Sequence, residues 1–309
     1  MRRYTLFTRA MRALLFALLA SGTLLGCAKA NEIAPDEKLG VTVSIVPQRD
    51  FVERIGGEHV SVSIMVEAGN SPTTYEPKPE QLKALSRSAA YFSIGVPFED
   101  VWLDRIAAAN PEMMMVDTIA DIERMALEAD HDHAADEKSD HDDHAEGAPD
   151  PHVWLSPKRV AIQARAIYSA LAALDPAHEA VFSSNLEAFL ADIDALDAEI
   201  ALTLAHHEGK AFMVFHPSWG YFAHDYGLEQ IPVEVGGQEP SARELAQLIE
   251  IAREQNIHVI LAQPEFSTED AETIAQGIDG KVLLISPLAP NWLGNMRTVA
   301  DTFADVLSD

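Results

Sequence analysis

Only one cysteine, Cys27, occurs among the 309 residues. A single thiol cannot form an intrachain disulfide, a Cys-x-x-Cys redox pair or a thiolate zinc site. Positive charge is also scarce: 22 Lys and Arg stand against 49 Asp and Glu, giving a formal net charge of −27 at pH 7. A surface this acidic repels nucleic acid and makes a cation the more natural partner. The chain carries no HExxH, no GxSxG nucleophile elbow and no phosphate-cradling GxxxxGK, so we expect neither an enzyme nor an organic cofactor. Apolar residues are plentiful at 48%, enough for two lobes with cores of their own.

The most apolar run lies near the start and is short. "MRRYTLFTRAMR" carries four arginines, and "ALLFALLASGTLL" follows it. That run falls short of the ~20 residues that span a bilayer and has the pattern of an export signal. It ends at Leu24-Leu25-Gly26-Cys27, which resembles a bacterial lipobox, in which the cysteine is acylated and becomes the mature N-terminus. The expectation is a signal peptide over 1–27, a polar tether over 28–40, and a membrane-anchored protein outside the cytoplasm.

Beyond the tether, short β-rich runs alternate with helical periods. Strands are expected at 41–47, 61–67, 90–96 and 112–118. The intervening "QRDFVERIGGEHV", "PEQLKALSRSA" and "FEDVWLDRIAAANP" read as helices. A second series repeats the pattern, with strands at 211–216, 231–235, 258–263 and 281–286 and helices at 220–226, 241–255, 268–277 and 293–307. Between the two series, a helix from "SPKRV" precedes a longer one over about 177–206. In the longer helix Phe182, Leu186, Phe189, Leu190, Ile193, Leu196 and Ile200 recur at three- and four-residue steps without Gly or Pro. Its length corresponds to roughly 40 Å. The fold class is therefore α/β: two lobes of about four parallel strands flanked by helices and bridged by one rigid helix. The expected divisions are an N-terminal lobe over 41–175, a linking helix over 176–207 and a C-terminal lobe over 208–309. In open parallel sheets ligands bind beyond the carboxyl ends of the strands, which puts the site between the lobes.

Five of the twelve histidines fall in one acidic stretch, "ADHDHAADEKSDHDDHAEGAPDPHVW". His131, His133, His141 and His144 lie within 128–149, whose composition cannot build a core. The expectation there is a disordered loop that binds further ions weakly, delivers them to the cleft or senses their excess. His152 differs, since it follows Asp150-Pro151 and leads into Val-Trp-Leu. His216 ends a strand in "FMVFHPSWGYF". One such histidine in each lobe, both at element boundaries, points to the cleft. His224 and His258 read as structural, and His59, His178, His206 and His207 as surface residues.

At this point the motifs resemble a known family. "SIVP", "GNSPTTYEPKPEQLKALSRSAAYFSIGVPFE", "DPHVWLSP", "FHPSWGYFAHDYGL", "EPSARELAQLI" and "ISPLAPNW" are together similar to the substrate-binding proteins of metal ABC transporters. These are the zinc/manganese receptors of cluster A-I, of the ZnuA and TroA types. The resemblance covers almost the whole mature chain. It implies a two-lobed receptor, monomeric, serving an ABC permease and its ATPase. It also implies metal ligands at His152 and His216. Two further ligand positions of the family are altered here, with Thr73 where a histidine is usual and Ser286 where an Asp often stands. Neither is a good zinc ligand. Glu265 in "AQPEFS" and Glu76 in "TYEPKP" are the candidates to complete the set. The imidazoles and the acidic loop favour Zn²⁺, with Mn²⁺ the other possibility. A periplasmic zinc buffer or metallochaperone without a transporter, or a receptor whose cleft has lost tight binding, are the alternatives.

Overall fold

A computed structural model describes residues 38–127, 148–234 and 238–308. The export segment, Cys27 and the four loop histidines lie outside the described residues. The described residues belong to one compact unit, Lys38–Asp309. Among the described residues no helix is long and apolar enough to cross a membrane.

The first sheet consists of β1 (Leu39–Ile45), β2 (Val60–Val66), β3 (Ala90–Ser93) and β4 (Met114–Asp117), in the order β2-β1-β3-β4. All its pairings are parallel. Helices α1 (Val46–Gly56), α2 (Pro79–Leu85) and α3 (Pro97–Ala109) are the crossovers. The second sheet repeats the plan with β5 (Ala211–Val214), β6 (Glu229–Pro232), β7 (Val259–Ala262) and β8 (Lys281–Leu284), ordered β6-β5-β7-β8 and again wholly parallel. Between them run α4 (Pro157–Leu174) and α5 (Glu179–Leu204), and the second lobe carries α6 (Gly220–Tyr226), α7 (Ala242–Glu254), α8 (Glu269–Gly277) and α9 (Trp292–Ser308).

Local chemistry explains these elements. Ser156 caps α4 by accepting the backbone N–H of Arg159, and Pro157 fills the first helical position. Ser241 and Glu244 form a reciprocal capping box on α7. Helix α5 buries Phe182, Leu186, Phe189, Ile193, Leu196, Ile200 and Leu204 along one stripe, the spacing expected of its period. At 26 residues it is about 39 Å long.

The strands of the second sheet end earlier than the apolar runs suggest. The run "IPVEV" pairs as Glu229–Pro232 rather than 231–235, and just past it Val233 and Glu234 still donate their N–H groups to the Val214 and Phe215 carbonyls at 2.8 and 2.9 Å.

Tryptophans tie the lobes together. Trp292, at the start of α9, packs edge-on against Phe51 of α1 with ring centroids 5.3 Å apart. Its indole N–H donates to the carbonyl of Trp154 at 2.7 Å, and Trp154 in turn donates to the carbonyl of Pro287 at 2.8 Å. Both rings are almost fully buried. Arg297 pairs with Glu199 and Arg54 with Asp192 on the surface of α5.

Candidate metal centre

In each sheet the chain moves one way from the first strand and then back across it, leaving a crevice between β1 and β3 and another between β5 and β7. Every strand of the second sheet delivers one polar residue from its carboxyl end. His216 lies two residues past β5, Glu234 two past β6, Glu265 three past β7 and Ser286 two past β8. From the other side, His152 stands between the first lobe and α4, in the turn that precedes the one-turn helix Val153–Leu155.

The structure brings His152 and His216 together, with ring centroids 5.2 Å apart in an edge-on arrangement. Each imidazole is anchored by a carboxylate. Nδ1 of His152 lies 2.7 Å from Oδ1 of Asp150, which also accepts the His152 backbone N–H at 2.9 Å. Nδ1 of His216 is hydrogen-bonded to Oε2 of Glu234. Asp150 is 2% exposed and Glu234 9%, so both bonds are shielded from water. A carboxylate accepts only, so each Nδ1 donates, and in the neutral ring Nε2 is then the nitrogen that keeps a lone pair. Burial pushes the His216 pKa below its ordinary value, more than the Glu234 carboxylate pulls it back up, and the nearby His152 lowers it further. The imidazole is accordingly neutral at pH 7, the form that ligates metal.

The surroundings hold both rings still. Phe266 stacks on His216 at 4.8 Å, and Trp154 lies 5.3 Å from His152. The Tyr221 hydroxyl donates to the Asp150 carbonyl at 3.0 Å. Gly220 opens α6 so near that a Cβ there would lie 3.1 Å from Oδ2 of Asp150. A side chain at this position would push on the carboxylate that orients His152.

Both histidines line a cavity of about 620 Å³, which also includes Thr73, Gln263 and Glu265. Glu265 reaches it as the sequence suggests. Its Oε1 accepts the Ser286 hydroxyl at 2.6 Å, while its Oε2 is buried without a hydrogen-bond partner. Glu76 does not reach it. Tyr75 and Pro77 turn inward and leave Glu76 exposed, outside the cavity lining. Tyr75 packs on Phe98, and Trp154 walls the cavity. Among the described residues no three His, Cys, Asp or Glu side chains are already gathered as a metal cluster.

Three background histidines differ from expectation. His207 is buried, and its backbone N–H donates to the Leu204 carbonyl at the end of α5. His224 and His258 are exposed.

Sequence reasoning missed Glu234, whose only signal was its place just after a strand. It also gave no role to Asp150, although "DPH" carries it. A buried Glu99 on α3 was missed too. It accepts the Ile94 and Gly95 N–H groups at 3.1 and 2.7 Å and the Ser44 hydroxyl, and it lines the same cavity. Burial raises its pKa to about 7 against those hydrogen bonds.

Two parallel α/β lobes joined by a long helix, with paired imidazoles between them, are the architecture of a solute-binding protein. The chain belongs to the family described as the periplasmic component A of the zinc-uptake complex, whose family model matches residues 41–306. The family is one of solute-binding transport components, not enzymes. A zinc-binding lipoprotein AdcA of Streptococcus pneumoniae serotype 4 is 28% identical over 281 residues, covering 89% of this chain. The chain spans about half, 55%, of the length of that relative and of the similar Streptococcus pyogenes AdcA. The crystal structure of a ZnuA superposes with a TM-score of 0.80 at 43% identity, covering 88% of this chain and 100% of that one. A zinc-bound deletion mutant of ZnuA matches with the same TM-score and identity, covering 99% of its own chain.

Proposed function

We propose that this chain is an extracytoplasmic receptor that captures Zn²⁺ between its lobes through Nε2 of His152 and of His216, then presents it to a membrane permease driven by an ATPase. The observation that carries the reading is the pair of buried imidazoles, each tied at Nδ1 to a buried carboxylate. Metal-bound histidines characteristically donate their second N–H in this way, which fixes tautomer and ring and raises basicity. Imidazole ligands favour Zn²⁺ over Mn²⁺, and the zinc-binding relatives support the same ion. Export by residues 1–27, acylation at Cys27 and a tether over 28–40 would hold the lobes at a membrane, and the AdcA lipoprotein supports that placement. The segment 128–149, with His131, His133, His141 and His144, serves as a weak secondary zinc site.

The test is calorimetric titration of Zn²⁺ into the chain from Ala28, with and without Asp130–Gly147. One tight site should survive the deletion, and His152→Ala or His216→Ala should nearly abolish it. A second reading, a buffer with a degenerate cleft, is favoured by Thr73 in the cavity wall and by the absence of a ready-made three-ligand cluster among the described residues. It wins if only weak sites appear and they vanish with the loop.

A further inference from the structure

Two imidazoles do not complete a zinc site, which takes four ligands or three and a water. Among the described carboxylates lining the cavity around His152 and His216, Glu265 has an oxygen, Oε2, that is buried without a hydrogen-bond partner. A buried carboxylate oxygen without a donor is costly, and it is relieved by a cation as well as by a hydrogen bond. We propose that Glu265 is the third ligand of the cleft metal, and that Ser286 is the residue that positions it. The inference rests on the zinc-receptor reading above and deepens it by naming the ligand set: two neutral imidazoles, one carboxylate and one open position for water.

Three observations converge on Glu265. It leaves β7, and His216 leaves β5, its direct neighbour in the sheet, so the two emerge side by side at the crevice of the second lobe. Phe266, the next residue, stacks on the His216 ring at 4.8 Å, which couples the backbone of the Glu265 turn to the imidazole. Ser286 donates its hydroxyl to Oε1 at 2.6 Å and accepts the Leu288 N–H at 3.1 Å. The serine proton is thus committed to Oε1, and Oε2 is the oxygen left to bind metal. The Asn295 amide holds the Ser286 carbonyl at 2.9 Å, so the serine is itself fixed to α9.

With no preassembled cluster among the described residues, the ion completes the set by drawing the carboxylate toward the imidazoles. One carboxylate beside two neutral rings leaves the loaded centre with a net charge of +1. That balance suits Zn²⁺ and gives too few oxygens for a site selective for Mn²⁺.

The test compares Glu265→Gln, Ser286→Ala, Ser286→Thr and His152→Ala in the chain from Ala28 without Asp130–Gly147. Zinc affinity is read by competition with a chromophoric chelator, and ligand atoms by X-ray absorption of the zinc-loaded protein. Glu265→Gln should weaken zinc at least 100-fold and remove one oxygen at the short carboxylate distance. Ser286→Ala should weaken it about 10-fold, within the range for groups that orient a ligand, with the melting temperature of the metal-free protein unchanged. Ser286→Thr, which keeps the hydroxyl, should restore it. The inference is overturned if His152→Ala abolishes binding while Glu265→Gln stays within twofold, since water alone then completes the site. If His152→Ala also leaves tight binding intact, the receptor reading fails first and the inference with it.

Discussion

Changing Asp150 to Asn tests whether the carboxylate behind His152 tunes the metal centre or only caps a turn. The substitution keeps the shape of the side chain and an oxygen that can accept from the His152 ring and backbone, at present 2.7 and 2.9 Å away. What it removes is the negative charge, in a site where Asp150 is 2% exposed and solvent screens little. A charge-assisted bond is roughly twice as strong as a neutral one. Losing that surplus costs about 1.4 to 2.7 kcal/mol of metal binding, a 10- to 100-fold rise in Kd. Competition titration with zinc reads the affinity, and thermal melting of the metal-free protein reads the fold. The expected result is the loss of affinity with little change in melting temperature. Zinc affinity within twofold of the unaltered protein would refute the reasoning, because His152 would then not depend on its carboxylate to bind metal.

Other predictions concern pH and the joint between the lobes. His216 is held neutral below its ordinary pKa, so the unfolded chain takes up its proton first. The metal-free protein should lose stability as pH falls below about 6.5 toward the folded value, and His216→Asn should flatten that limb of a denaturant-midpoint profile. Glu99 has the opposite sign. Its pKa is raised to about 7, so its protonated form supports the fold below about 4.5, and the contribution is lost as pH rises through 7. The loss amounts to about 3 kcal/mol by pH 8. Glu99→Gln should remove that decline from urea unfolding measured between pH 5 and 8, and an unchanged slope would count against the assignment. Trp292→Ala should cost about 3–5 kcal/mol, because the ring joins Phe51 to the Trp154 carbonyl. In the intact protein, zinc should leave the radius of gyration from solution scattering unchanged, and a marked compaction would contradict a rigid joint.

The architecture was legible because it is written in periodicity. Apolar steps of three and four residues marked α5 correctly, and its buried stripe runs from Phe182 to Leu204. The two histidines were legible because each follows or precedes an apolar run at an element boundary, where strand ends point at a cleft. Glu234 was not, since a glutamate in "IPVEV" looks the same whether it faces solvent or a histidine 18 residues away. Only the parallel register of β5 and β6, which pairs Val214 with Pro232, puts the two side by side. Glu76 misled for a related reason. It shares a loop with Thr73, but an extended chain turns neighbouring side chains to opposite sides, so Tyr75 is buried and Glu76 is exposed.

The same strand-end logic sets how far one altered position can disturb the cleft. A site assembled from the exits of several strands is not held by any single loop. His216, Glu234, Glu265 and Ser286 come from four different strands of one sheet, whose spacing is set by main-chain hydrogen bonds rather than by the side chains themselves. Replacing one of these side chains therefore leaves the others in place. His152 is the exception, because the second sheet does not carry it. It reaches the site through the turn that Asp150, Tyr221 and Trp154 hold against the second lobe. Substitutions that loosen this turn, such as Tyr221→Phe, should therefore weaken zinc binding even though they touch no ligand. Substitutions of comparable size within β6 or β8 away from their carboxyl ends should not.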